Sequence, residues 1–440
     1  MALGGLEMLQ AEIAEVGAVH PVGRVFEVGQ GTISVSGLTT RATLGDRAQI
    51  HTRASGLFDA EVIALSRGGV TLLADGAVEG IAIGDRVEIL GQAGIAPDDS
   101  WVGRIVDPFG RPLDGRPLLR GPLERNVRAA PPAAATRGRL GGRVETGLDV
   151  FNTLLPLVQG QRIGLFAGSG VGKSSLLAKF AKGVQADVVV IALIGERGRE
   201  LREFVEKTMG AEGMARAVIV AATSDQSPLV RRRCGWAAMS VAEHFRDQGK
   251  HVLFLADSVT RFAEAHREVA LAGGEPPSLR GYPPSTAHQI MSLAERSGPG
   301  PEGTGAITAV FSVLVAGSDM EEPVADILRG TLDGHVVLDR AIAERGRFPA
   351  IDLLRSVSRS LPDAASPAEN ALISKARKLL GAYDRAEMMI QAGLYANGSD
   401  PVVDAAIRVW PALDAFIAQD APDRVAASFS RLAKALSGAG

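Results

Sequence analysis

The residues with the clearest capacity for chemistry lie between Ala167 and Ser174, where the chain reads AGSGVGKS. An apolar run precedes this stretch and a helix-like apolar pattern follows it, which is typical of a phosphate-binding loop (P-loop, or Walker A motif). Its glycines allow successive backbone N–H groups to face a polyphosphate, and the following helix adds its positive N-terminal end. The predicted nucleotide-binding residues of the loop are Ala167, Gly168, Ser169, Gly170, Val171, Gly172, Lys173, Ser174 and Ser175.

Two residues of this loop have separate predicted roles. We expect Lys173 to reach the β and γ phosphates, and the Ser174 hydroxyl to complete a Mg²⁺ shell. One position departs from the generic GxxxxGK(S/T) pattern, because Ala167 stands where glycine is usual. The alternative interpretation is an ordinary glycine-rich turn, but the flanking strand and helix favour a nucleotide site.

Two carboxylates follow predicted strands further along the chain. Ligands of an open parallel sheet bind beyond the carboxyl ends of its strands, so these positions are candidates for function. Asp257 is predicted to order the Mg²⁺ shell, and Glu196 to orient and polarise the water that attacks the γ phosphate. On these residues alone, a surface glutamate paired with Arg197 or Arg199 is an equally good interpretation of Glu196.

Cations and one aromatic residue complete the candidate site. Phosphoryl transfer needs a cation against the developing charge, and a guanidinium supplied across a subunit interface is a frequent solution. Arg359 in SVSR is the main candidate for this cation, with Arg261 and Arg197 as secondary candidates. Phe348 in GRFPAID offers a face for a nucleotide base. Each of these residues, taken alone, is also compatible with a solvated arginine or a core phenylalanine.

Composition excludes several classes of protein. The chain has 440 residues, which suggests two or three domains, and a formal net charge of −3 without a long basic run. That charge excludes nucleic-acid binding by counterion release over the whole molecule. The single cysteine, Cys234, has no partner for a disulfide or metal site and fits a reducing cytoplasm. We expect a cytoplasmic protein without a signal peptide or membrane span, whose membrane contact is peripheral.

The pattern of hydrophobic residues changes several times along the chain. Short β-type runs between glycine-rich turns predict a small closed barrel near the N-terminus, with few aromatic residues and no basic cluster for an oligonucleotide. Alternating strand and helix signals then predict an α/β domain with a mostly parallel sheet. The predicted barrel strands are 22–28, 32–36, 61–65, 70–73 and 86–90. The predicted domains are an amphipathic helix at 1–18, a β-barrel at 19–92, an α/β domain at 93–359 and a helical domain at 360–440.

Several motifs in a fixed order resemble one family. The segments are AGSGVGKS, LIGERGRE, ATSDQSPLVR, HFRDQGKHVLFLADSVTRFAEAHRE, GGEPPSLRGYPPS and GRFPAIDLLRSVSR, with DPFGRPLDG upstream and YANGSDPVVDAAIRVWPAL downstream. They resemble the hexameric rotary-type ATPases and, within that superfamily, the flagellar type III protein-export (FliI-type) ATPases. The resemblance covers nearly the whole chain. It implies a RecA-like P-loop core with an N-terminal β-barrel and a C-terminal helical domain.

The resemblance also implies roles for individual residues. Lys173 and Ser174 match the P-loop lysine and the Mg²⁺-binding hydroxyl, and Glu196 matches the catalytic glutamate. Asp257 matches the Walker B aspartate that holds Mg²⁺ with Ser174. Arg359 matches the arginine finger that each subunit of a homohexamer offers to its neighbour. Phe348 matches the aromatic residue against the adenine of ATP, and alanine at position 167 is usual in this branch.

Partners and location follow from the same resemblance. A FliH-type regulator is expected to bind the helix at 1–18, and a FliJ-type stalk to enter the centre of the ring. The loop 273–284 and the C-terminal domain are expected to meet this stalk and to receive export substrates with their chaperones. No nucleic-acid partner is expected. The protein is expected in the cytoplasm, peripheral to the inner membrane at the export gate.

Four other classes of protein share parts of this pattern. A virulence-type type III secretion ATPase shares every catalytic motif, and only the wording AGSDMEEPVAD and the C-terminal match favour the flagellar member. A catalytic ATP synthase subunit has a strongly acidic contact segment that this C-terminal domain lacks. A non-catalytic nucleotide-binding subunit is disfavoured because Glu196 and Lys173 are both present. An RNA translocase would need a basic, aromatic N-terminal domain, which is missing here.

Overall fold

The computed structural model describes residues 19–29, 31–53, 56–315 and 320–439. The helix predicted at 1–18 as a docking site for a regulator lies outside these residues. Among the helices that are described, none combines the length and apolar character needed to cross a membrane.

The first described domain is a closed antiparallel barrel of six strands. The strands follow each other around the barrel in the order β1-β2-β5-β4-β3-β6. Alternate side chains point inward, so that Ile33, Val35 and Leu72 form part of a small apolar core. The predicted barrel is confirmed, although the polar sequence RAQIH hid strand β3. The strands are β1 (Val22–Gly29), β2 (Thr32–Ser36), β3 (Arg47–His51), β4 (Leu57–Ser66), β5 (Gly69–Ala74) and β6 (Arg86–Gly91).

A mostly parallel sheet forms the central domain, as its near-continuous apolar strands predict. Its main path runs β15-β14-β8-β13-β11-β9-β10-β7, and β12 pairs with β13. Strand β15 is antiparallel to β14 and is the outermost strand on one side of the sheet. The strands are β7 (Ile105–Val106), β8 (Arg162–Ala167), β9 (Val188–Glu196), β10 (Ala217–Thr223), β11 (His251–Asp257), β12 (Gly298–Pro299), β13 (Ala306–Leu314), β14 (Gly334–Leu338) and β15 (Ile351–Ser358).

Helices cover both faces of this sheet, with one apolar cluster on each side. Phe151 and Phe180 pack edge to face in one cluster, and Trp236 and Phe262 do so in the other. The helices of this domain are α1 (Asp149–Asn152), α2 (Lys173–Gly183), α3 (Gly198–Glu203), α4 (Gly210–Met214), α5 (Pro228–Asp247), α6 (Val259–Ala272), α7 (Ser285–Glu295), α8 (Pro323–Thr331) and α9 (Arg340–Glu344).

Three helices, α10 (Pro367–Gln391), α11 (Pro401–Ala418) and α12 (Val425–Ala435), form the C-terminal region. A capping box begins α10, since Ser366 and Glu369 satisfy each other's backbone N–H groups. The region is fixed to the core by polar contacts. Arg431 makes a two-pronged ion pair with the fully buried Asp149.

Candidate active site

The P-loop connects strand β8 to helix α2. Gly170 and Gly172 have φ values of +78° and +88°, a backbone conformation that side chains with a Cβ rarely adopt. Ala167 is still part of β8, where it pairs with Leu314 and is fully buried. Its methyl group therefore belongs to the core of the sheet, which explains why alanine is tolerated at the first position of the motif. The side chain of Val171 is also buried.

An open cleft of about 810 Å³ lies over this loop. Its wall includes P-loop residues, the carboxylate of Glu196, and cations from the two secondary candidates. The sequence-predicted residues in the wall are Ala167, Gly168, Ser169, Gly170, Gly172, Lys173, Ser174, Ser175, Glu196, Arg197 and Arg261. The cleft lies at the carboxyl ends of the parallel strands, where an open α/β sheet binds its ligands.

Lys173 and Asp257 form an ion pair inside the site. Asp257 is the last residue of β11, and its carboxylate is nearly fully buried. The Ser312 hydroxyl of neighbouring strand β13 also donates a hydrogen bond to Asp257 Oδ1, over 2.9 Å. Sequence reasoning missed Ser312. A buried hydroxyl within the apolar strand sequence AVFSVL was the available signal.

Glu196 lies at the end of β9, beside Asp257 and Ser174, and these three residues line a second cleft of about 190 Å³. Burial, together with the negative charge of Asp257, raises the pKa of Glu196 to about 7. The Arg261 Nε atom lies 3.4 Å from Glu196 Oε1 as an ion pair without hydrogen-bond geometry. A carboxyl with a pKa near neutrality is suited to accept a proton at physiological pH.

Arg197 does not pair with Glu196 as the surface interpretation required. Its guanidinium is highly exposed and lies 3.4 Å from Glu200 Oε1. Glu200 lines both clefts and was missed in the sequence, where it is one of several charged residues in GERGRE. The nearby Glu200 carboxyl contributes to the raised pKa of Glu196.

Phe348 lies against the P-loop. A Cβ atom built on Gly172 would be only 3.1 Å from Phe348 Cδ1, so glycine is needed here for close approach as well as for its φ value. The phenylalanine side chain is 50% exposed. An aromatic face that is half open beside a phosphate-binding loop is suited to stack on a base.

Arg359 lies at the other end of the sheet. It follows Ser358, which pairs with Gly334 at the start of β14, whereas Ala167 of the P-loop pairs with Leu338 at the end of β14. The rise along a strand is about 3.3 Å per residue, which separates Arg359 from the P-loop edge by roughly 15 Å. The structure therefore does not bring Arg359 into the site of its own chain.

This architecture defines a class of protein. A barrel, a RecA-like P-loop core and a C-terminal helical domain together form a multidomain nucleotide-binding ATPase. Residues 147–358 match the ATP synthase alpha/beta family, nucleotide-binding domain. Residues 365–436 match the T3SS EscN ATPase C-terminal domain.

Comparison with known proteins identifies the family. The chain is 46% identical over 422 residues to the flagellum-specific ATP synthase of Caulobacter vibrioides, covering 94% of this chain and 95% of that protein. It is 40% identical over 430 residues to the flagellum-specific ATP synthase of Salmonella typhimurium, covering 95% of this chain and 93% of that protein. The chain belongs to the family of flagellum-specific ATP synthases, and it is an ATPase.

Solved structures agree with this assignment. The assembled ATPase EscN from the enteropathogenic E. coli type III secretion system is 36% identical and superposes with a TM-score of 0.86, covering 94% of this chain and 100% of that chain. EscN in complex with its central stalk EscO is 37% identical and gives a TM-score of 0.84, with the same coverage.

Proposed function

We propose that this chain hydrolyses Mg-ATP to energise flagellar type III protein export, as a homohexameric ring with its catalytic sites between subunits. The single observation that carries the proposal is the separation of the site's parts. Lys173, Glu196 and Asp257 meet at the carboxyl ends of the parallel strands, here called the P-loop edge of the sheet. Arg359 lies at the opposite edge, near the start of β14. In a ring, one subunit's P-loop edge can face the other edge of its neighbour.

Arg359 has the local environment of a group available to a neighbouring subunit. Its side chain is exposed, and its guanidinium donates one weak hydrogen bond, of 3.3 Å, to the Arg329 carbonyl. Among the residues that the structure describes, no carboxylate pairs with it. A planar guanidinium that is not neutralised can stabilise the charge on a transferring phosphoryl group.

The residues at the P-loop edge have complementary tasks. Glu196 accepts a hydrogen bond from the attacking water and takes its proton, while Lys173 stabilises negative charge on the β and γ phosphates. Backbone N–H groups of the glycine-rich turn bind the phosphate oxygens. Phe348 stacks on the adenine, which leaves the base at the mouth of the cleft. Arg261 and Arg197 are secondary candidates for contacts with the phosphates.

The residues present fit a Mg²⁺ ion. The two contacts of the Asp257 carboxylate described above both involve Oδ1, which leaves Oδ2 for a further ligand. No group of three or more His, Cys, Asp or Glu residues is arranged for a metal in the described parts of the chain, and Mg²⁺ bound with nucleotide phosphates needs only one or two protein ligands. Ser174 and Asp257 would hold the ion, which neutralises phosphate charge when bound.

The remaining assignments concern assembly and location. The EscN structures, one of them with the stalk EscO, support a homohexamer with a FliJ-type stalk in its centre. We further propose the domain limits 19–92, 93–359 and 360–440, and a FliH-type regulator bound to 1–18. Export substrates with their chaperones would meet the C-terminal domain and the loop 273–284. The ring would work in the cytoplasm, peripheral to the inner membrane.

A virulence-type secretion ATPase is the nearest alternative. The flagellum-specific relatives are 40% to 46% identical to this chain, whereas the two EscN structures are 36% and 37% identical, and a prototypical type III secretion ATPase of pathogenic bacteria is 38% identical. The higher identity to the flagellar proteins favours the flagellar assignment.

The test replaces the chromosomal gene with a copy that encodes Glu196→Gln. The amount of flagellar subunits secreted into the culture medium is then measured. We expect secretion to stop, while cells with the control substitution Glu206→Gln, at an exposed glutamate, secrete normally. If cells with Glu196→Gln secrete flagellar subunits normally but no longer secrete virulence effectors, the chain is a virulence-type secretion ATPase. Normal secretion of both would refute the proposal that hydrolysis through Glu196 energises export.

A further inference from the structure

The residue before Phe348 is a largely buried arginine that contacts the C-terminal domain. The Arg347 side chain is 9% exposed, and its Nε atom lies 3.0 Å from Asp414 Oδ1 on helix α11. Asp414 is 27% exposed. Burial lowers the pKa of Arg347, and the charge of Asp414 opposes that shift. This ion pair is thus largely shielded from solvent. Shielded charge pairs are screened less by salt than exposed pairs are.

The same guanidinium holds the segment that follows Phe348. Its Nη1 donates to the Pro349 carbonyl over 3.0 Å, and its Nη2 donates to the Ile351 carbonyl over 2.8 Å. The guanidinium therefore links the Pro349 and Ile351 carbonyls to one carboxylate of the helical domain, through two hydrogen bonds and an ion pair without hydrogen-bond geometry. Because Phe348 lies between Arg347 and Pro349, the direction of its ring depends on this arrangement.

A second ion pair close by crosses the same boundary but lacks these features. Arg345 lies 3.1 Å from Glu387 of helix α10, and its side chain is 47% exposed. Exposed pairs of this kind contribute little to stability. The described contacts of the Arg345 side chain do not involve the backbone around Phe348. The pair Arg345–Glu387 is therefore a matched control, with the same kinds of charge and the same two domains.

We infer that Arg347 and Asp414 are positioning residues that set the Phe348 ring for the adenine base, so that the C-terminal domain determines how tightly the base is held. This inference rests on the proposed role of Phe348. The P-loop binds phosphates through Lys173 and backbone N–H groups, which do not depend on the pair. Loss of the pair should therefore weaken binding of a nucleotide but not of a polyphosphate without a base.

The experiment measures binding of ATP and of inorganic tripolyphosphate, each with Mg²⁺, by calorimetry on the full chain. The variants are Asp414→Asn, which keeps the size of the side chain, Arg347→Lys, Phe348→Ala and the control Glu387→Gln. Losing a base–aromatic stack is worth about tenfold or more in affinity, so we expect that loss for ATP in Phe348→Ala. For Asp414→Asn and Arg347→Lys we expect a partial loss of about fivefold for ATP.

Tripolyphosphate affinity should be the same in all variants, and Glu387→Gln should bind ATP like the parent. Equal losses for ATP and tripolyphosphate in Asp414→Asn would overturn the inference, because they would show a general structural role. Unchanged ATP affinity in Asp414→Asn, with a loss in Phe348→Ala, would also overturn it but leave Phe348 at the base. If Phe348→Ala itself binds ATP like the parent, the proposed base contact is wrong, and the inference falls with it.

Discussion

The two edges of the central sheet differ in how their charged groups are arranged. At the P-loop edge, Lys173 pairs with Asp257, and Arg261 lies beside Glu196. At the opposite edge, the Arg359 guanidinium is exposed and contacts a single carbonyl oxygen among the described residues. At the P-loop edge, a bound ligand would separate the ion pair between Lys173 and Asp257. At the opposite edge, the positive charge of Arg359 faces solvent.

On the proposed assignment, this difference means that one chain holds only part of a site. The P-loop edge has the groups that bind phosphate and activate water, but the cation that would stabilise the transferring phosphoryl group lies roughly 15 Å away, by the rise of a strand. Neither edge suffices alone for the proposed reaction. The contrast predicts that substitutions at the two edges damage the same activity through different subunits.

The largest effect should come from Lys173→Ala at the P-loop edge. Removing this cation takes away a contact to the phosphates and leaves the nearly buried Asp257 without its ion pair. We expect ATP turnover, measured as phosphate release, to fall about 1000-fold. Lys182→Ala, an exposed lysine at the end of the same helix, is the control and should be fully active. If Lys173→Ala hydrolyses ATP at the parent rate, the P-loop edge does not take part in the reaction as proposed.

Glu196→Gln should reduce turnover about 100-fold or more, because the amide cannot accept the proton of the attacking water. The raised pKa of Glu196 adds a test of sign. Below its pKa of about 7 the carboxyl is protonated and inactive as a base, so kcat/KM of the parent should rise with pH through about 7. The residual activity of Glu196→Gln should lack this rise. An identical pH profile in both proteins would show that another group titrates.

A smaller effect is expected from Ser312→Ala, which tests how the P-loop edge is supported. Loss of the hydrogen bond to Asp257 should raise the Mg²⁺ concentration for half-maximal turnover about 3- to 10-fold. Ser312→Thr keeps the hydroxyl and should restore the parent value. If alanine and threonine behave alike in the Mg²⁺ titration, the hydroxyl does not position the carboxylate.

Much of the P-loop edge could be predicted from the sequence, because its signals are local. A strand, a glycine-rich turn and a helix lie consecutively around Lys173, and Asp257 directly ends an apolar run. Contacts between distant segments were not predictable in this way. Ser312 reaches Asp257 only because β13 and β11 are neighbours in the sheet, and Arg347 meets Asp414 only through the docking of α11.

The opposite edge shows the limit more clearly. The resemblance implied that Arg359 acts on a neighbouring subunit, but the residues of SVSR alone do not distinguish a finger from a solvated arginine. Strand β15, with the sequence IDLLRSVS, was also difficult to predict, because its side chains do not alternate strictly between core and solvent. The register of β15 on β14 is what places Arg359 away from its own P-loop.

The most direct test of the central claim mixes two inactive proteins. Lys173→Ala lacks the P-loop cation but keeps Arg359, and Arg359→Ala lacks the finger but keeps the P-loop. Each should be inactive alone, whereas mixed rings place an intact Arg359 beside an intact P-loop at some interfaces. We predict that ATP hydrolysis returns in mixed rings whose composition is verified by native mass spectrometry. Verified mixed rings without any hydrolysis would contradict a site shared between subunits.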